Sequence, residues 1–131
     1  MTDRRATHML KQIRYIINVL SEIDTNSAEN STWGYIEISM TMLQLLRTCD
    51  EPPLRLSRLF EVVQLLIKYN TIANMLKSGE NFLLDSDDSV YDDLLDMTRE
   101  LRLAGMNQET YNLAAAKFKA DVEAFAEILD S

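Results

Sequence analysis

The run WGYIEISMTMLQLLRTC, residues 33–49, decides the fold, because it fits two periodicities at once. Ile36, Ile38, Met40 and Met42 alternate with Glu37, Ser39 and Thr41 as on a strand, whereas Tyr35, Ile38, Met42, Leu45, Leu46 and Cys49 recur as on one side of a helix. A lone strand with no partner elsewhere in the chain would leave its backbone donors and acceptors unpaired. The helix is the consistent reading, and it makes the whole chain all-α.

The flanking segments agree. Upstream, residues 3–24 carry Met9, Ile13, Ile16, Leu20 and Ile23 at three- and four-residue steps, with Leu10 and Ile17 widening the stripe. The polar run Thr25 to Ser31 lacks a period and is expected to be a loop. Downstream, Pro52 and Pro53 stop the second helix. Residues 54–77 then place Leu56, Leu59, Phe60, Val63, Leu66, Ile67 and Asn70 along one face, with Lys77 and Gly79 as an ending. A fourth helix is expected to begin among Asp85, Asp87 and Asp88 and to carry Val90, Tyr91, Leu94, Met97 and Leu101 up to Gly105. Asn107 caps a fifth, with the stripe Tyr111, Ala114, Ala115, Phe118, Val122, Phe125 and Leu129.

The reading is therefore one domain over residues 1–131, a compact antiparallel bundle of about five helices. Its 47% hydrophobic content suffices for a core, and three Gly and two Pro are few for tightly turned strands. Several helices, residues 35–46 above all, are apolar over more than one stripe. That surplus predicts a homodimer.

Charge is divided unevenly. Residues 1–79 hold nine Lys/Arg against eight Asp/Glu, whereas residues 80–131 hold four against thirteen, which accounts for the net −8. With a pI near 4.6 the chain is poorly suited to phosphate-rich partners, so nucleic acid and anionic membranes are disfavoured. No apolar run is long enough to span a bilayer and no secretory leader is visible, which predicts a cytoplasmic protein. Cys49, the single cysteine, falls on an apolar stripe and is expected to be a small buried hydrophobe in a reducing compartment.

The acidic run offers the first candidate site. Phe82, Asp85, Asp87, Asp88, Tyr91, Asp92, Asp93 and Asp96 interleave carboxylates with apolar side chains, the composition of a surface that docks on a basic, partly apolar protein. Part of this charge is explained by favourable carboxylates at a helix start. An EF-hand reading would use Asp85, Asp87, Ser89 and Asp96, but its sixth position needs Gly and holds Val90. No metal ligand set follows.

His8, Leu10 and Lys11 form an H-x-L-K arrangement that resembles the phosphoacceptor motif of histidine phosphotransfer domains, which are helical bundles with an exposed His. The resemblance covers three positions and implies that His8 accepts a phosphoryl group while Lys11 neutralises its oxygens. Gln12 stands where that family usually places Gly, and no glycine motif for ATP is present. The ordinary alternative is a solvated His on a basic face that also holds Arg4, Arg5 and Arg14.

Residues 101–111 resemble a helix-turn-helix, with Gly105 at the turn and Gln108, Glu109 and Asn112 in the reading positions. Without Arg or Lys such a head would meet phosphates against repulsion. DNA binding, or mimicry of DNA by the acidic helix, is the third function carried forward. With one His and one Cys the chain offers no His/Cys zinc constellation, and no Cys-His dyad is read from it. The leading expectation is thus a small, non-enzymatic protein-binding module without cofactor or metal, an adaptor, inhibitor, chaperone or regulator.

Overall fold

The computed structural model describes residues 4–23, 28–78 and 88–131, and these form five α-helices: α1 (Arg4–Glu22), α2 (Ala28–Thr48), α3 (Leu54–Ser78), α4 (Asp88–Leu103) and α5 (Gln108–Asp130). Helices α1, α2, α3 and α5 close a ring in which each packs on two neighbours, α1 on α2 and α5, and α3 on α2 and α5. Cross-helix contacts fix their directions. Ile23 meets Gly34, Tyr15 meets Glu37, Asn70 meets Tyr111, and Leu20 lies near Tyr111, so neighbours run antiparallel. Helix α4 stands outside the ring and packs on α3.

The ambiguous segment is helical, and burial shows why. Ile38 and Met42 are fully buried, Ile36 is half-buried and Met40 is 66% exposed. A strand would have turned all four to one side, whereas successive steps of about 100° divide them. The buried stripe is instead Tyr35, Ile38, Met42 and Leu45. It faces Met9, Leu10, Ile13, Ile16 and Leu20 of α1, Leu56, Leu59, Val63 and Leu66 of α3, and Tyr111, Phe118, Val122 and Phe125 of α5. Tyr35 and Phe118 meet edge to face with centroids 6.3 Å apart, a geometry that contributes about 0.5–1.5 kcal/mol beyond area burial.

Two boundaries differ from expectation. The polar run 25–31 is not all loop: α2 begins at Ala28 and Ser31 is buried. Ala and Glu are good helix formers, and a buried, partnered Ser replaces the solvated one that polarity alone suggests. Cys49 is half-buried, packed against the core edge just beyond the last turn of α2, where its amide donates to the Leu45 carbonyl at 3.1 Å.

The turn from α4 to α5 follows its residues closely. Gly105 takes φ +71°, its amide donates to the Arg102 carbonyl at 3.0 Å, and the Met106 amide donates to the Leu101 carbonyl at 2.8 Å. This is the Schellman ending, open to Gly because a left-handed residue without Cβ meets no steric penalty. Asn107 then caps α5: its side chain accepts from the Thr110 amide at 3.0 Å, while the Asn107 amide donates to Thr110 Oγ1 at 2.6 Å.

Candidate functional site

The acidic candidate is partly placed. Phe82, Asp85 and Asp87 lie outside the described residues, Asp88 opens α4, and Tyr91 and Asp93 sit on its first turns with their side chains outside the described set. Asp92 and Asp96 are exposed one turn apart, with Leu95 at 47% exposure beside them. Among the described residues neither carboxylate has an ion-pair partner. Where side chains are described, Leu101 is the buried residue of α4 and Met97 and Thr98 are half-buried. Among the described side chains the contact of α4 with α3 is made by its C-terminal half: Lys68 of α3 pairs with Glu100, and Tyr69, Ile72 and Ala73 line a shallow apolar cavity of about 280 Å³ with Thr98, Leu101, Arg102 and Met106.

His8 is exposed on α1, and Lys11 one turn later is exposed as well. His8 borders a small groove of about 180 Å³ against α2, shared with Gln12, Thr41, Gln44, Leu45 and Thr48. Arg14, from the basic cluster, pairs with Asp130 of α5 at 3.5 Å. That contact and Lys68–Glu100 both join the near-neutral part of the chain to the acidic part.

Two of the would-be DNA-reading side chains, Gln108 and Asn112, are engaged within the molecule, and Glu109 is exposed. Tyr69 donates to Gln108 Oε1 at 2.7 Å, and Gln108 Nε2 donates to Asn112 Oδ1 at 3.1 Å. Below them runs a polar chain that the sequence reading did not assemble. Asn70 Nδ2 donates to the Leu66 carbonyl at 3.1 Å and to Tyr111 Oη at 2.8 Å, Tyr111 Oη lies 3.2 Å from Asn70 Oδ1, and Tyr35 donates to Tyr111. Tyr69 stacks on Tyr111 with centroids 4.4 Å apart. Burial pushes the Tyr35 and Tyr111 phenols above their ordinary value; for Tyr111 the hydrogen bonds from Asn70 and Tyr35 pull the other way. Tyr35 and Tyr111 also border a cleft of about 580 Å³, edged by Ser21, Gln108, Asn112 and Lys119. The sequence signal for this group was the presence of Tyr35, Asn70 and Tyr111 on otherwise apolar stripes.

A further surface emerges on α2. Trp33 is 67% and Met40 66% exposed, and with half-buried Ile36 and Leu43 they form a second apolar stripe at three- and four-residue steps. Tyr15 of α1 donates to the Glu37 carboxylate at its edge, and that hydrogen bond holds the Tyr15 phenol above its usual range.

Among the described residues no group of three His, Cys, Asp or Glu side chains is placed to hold a metal, and no helix is long and apolar enough to cross a membrane. Neither a family model, a curated protein nor a solved structure matches this chain.

Proposed function

We propose that the chain is a small, acidic, all-helical protein-binding module, an adaptor, inhibitor, chaperone or regulator, that works through its helix surfaces without catalysis. It docks through α4 on a protein surface that is basic and partly apolar. The observation that carries this reading is the exposed group Asp92, Leu95 and Asp96, two carboxylates without a cation partner among the described residues beside an exposed Leu. Opposite charge steers such a partner and the apolar contact holds it. Asp88, Tyr91 and Asp93 extend the same helix toward its start.

The test compares the wild type with Asp92→Lys plus Asp96→Lys as immobilised bait in a native extract. Both positions are exposed, so the fold tolerates the change. Partners that depend on α4 are lost from the double variant and elute from the wild type as salt is raised. An unchanged partner set removes α4 from the account.

A second reading, phosphotransfer through His8, is favoured by the exposure of His8 and Lys11 on one face of a bundle helix. Lys11 is placed one turn away to offset phosphoryl charge, although half-buried Gln12 occupies the position the phosphotransfer family keeps small. Incubation with a small phosphodonor or phosphorylated response regulators yields an acid-labile phosphate on the wild type and none on His8→Ala. No such phosphate on the wild type ends this reading.

A further inference from the structure

We infer that the outer stripe of α2 is a self-association surface, on which a second copy of the chain docks its own α2 in antiparallel orientation. Trp33, Ile36, Met40 and Leu43 are spaced as successive a and d positions of a heptad, the spacing by which two helices pack side by side. The core stripe of the same helix is already occupied by α1, α3 and α5, and among the described residues nothing covers the outer side of this one.

Self-complementarity argues for a second copy over an unrelated partner. When two α2 helices lie antiparallel about a two-fold axis near Ile38, Trp33 of each copy meets Leu43 of the other and Ile36 meets Met40. All layers are then apolar. Between residues 30 and 49 the charged residues are Glu37 and Arg47, which cancel, and Glu37 accepts the Tyr15 hydroxyl. Two copies of a chain with net charge −8 repel over most orientations, and this nearly neutral face is where they meet with little repulsion: the like charges nearest the axis are Glu37 and its copy, each accepting a Tyr15 hydroxyl.

Area sets the expected strength. Trp33 and Met40 with their flanks offer on the order of 400 Å² per copy, short of the roughly 800 Å² per partner of standard stable complexes. The pair is therefore a reversible dimer of an already folded protomer, formed as concentration rises. It uses a different helix from the acidic face of α4 and stands or falls independently of it.

Sedimentation of the full chain from about 1 to about 500 µM is the test. The wild type moves from 15.1 kDa toward twice that mass. Met40→Glu, which places charge in the central layers, and Trp33→Lys each weaken the dimer at least about tenfold while circular dichroism and the melting temperature stay near wild type. A wild type that remains at 15.1 kDa throughout, or a dimer indifferent to both substitutions, overturns the inference. Spin labels at Gln44→Cys in a Cys49→Ser background report the register: antiparallel pairing separates them by about 18 Å along the helix axes, and parallel pairing brings them level. Level labels overturn the antiparallel arrangement. Asp92→Lys plus Asp96→Lys leaves the dimer intact, so loss of dimer and loss of an α4 partner are distinguishable.

Discussion

Asn70 contributes an amide to an apolar interior, and that is tolerable because Leu66, Tyr111 and Tyr35 complete its chain of hydrogen bonds. Tyr111→Phe removes the oxygen at the centre, leaving the Asn70 amide short of a partner at a cost of about 1–3 kcal/mol, read as a lower urea midpoint. Adding Asn70→Leu replaces both polar partners by apolar groups and recovers part of that loss. The same burial makes stability depend on alkaline pH. The Tyr35 phenol titrates above its ordinary 10.0 in the fold and near 10.0 when unfolded, so above that pH the unfolded chain gives up a proton that the folded chain keeps. Stability is thus fully present below pH 10 and declines as pH rises beyond it, and urea midpoints from pH 8 to 11 fall more steeply for the wild type than for Tyr35→Phe. Sequence spacing placed Asn70 and Tyr111 each on a core stripe. Their pairing across 41 residues was invisible to it, because periodicity reports a face and carries nothing about which faces meet.

At the scale of elements, the helices whose ends carry specific side chains were the most legible. Asn107 and Gly105 had one physical solution each, and both adopt it. Asn107→Ala removes the acceptor for the Thr110 amide and costs about 1 kcal/mol, measurable as a drop in melting temperature that Asn107→Asp largely avoids. Less legible was the start of α2, where polarity suggested a loop although Ser31 is enclosed and partnered. Its close approach to α1 was equally hidden: at Gly34 an added Cβ would lie 2.6 Å from Ile23 Cγ1. On α2 itself the mixture of two periodicities had a physical origin. One stripe builds the core and a second, through Trp33 and Met40, lies on the surface, so the helix reads as apolar nearly all round.

The molecule as a whole divides into a closed ring of α1, α2, α3 and α5 and an appended α4, a division that no periodicity announces, since the α4 pattern is as helical as the rest. The unequal charge follows the same line in part, because the exposed carboxylates Asp92 and Asp96 belong to the helix that stands outside the ring. The exposed pairs Arg14–Asp130 and Lys68–Glu100 tie the acidic part to the remainder, but ion pairs of this kind contribute at most about 1 kcal/mol each. Packing of Leu101, with Met106 beside it, is the stronger attachment. Local opening energies track buried apolar contact, and Leu101 is the buried side chain among those described on α4, so α4 is expected to open before the ring. Native-state hydrogen exchange tests this division: α4 amides exchange with a lower opening free energy than those at the centres of α1, α2, α3 and α5. Leu101→Ala lowers it further by about 2 kcal/mol or more while ring amides keep their protection. Equal protection across all five helices, or a loss spread over the ring, would mean that α4 is part of one cooperative unit. Separate opening of α4 fits the docking proposed for it, because a partner could then bind it without unfolding the bundle that presents it.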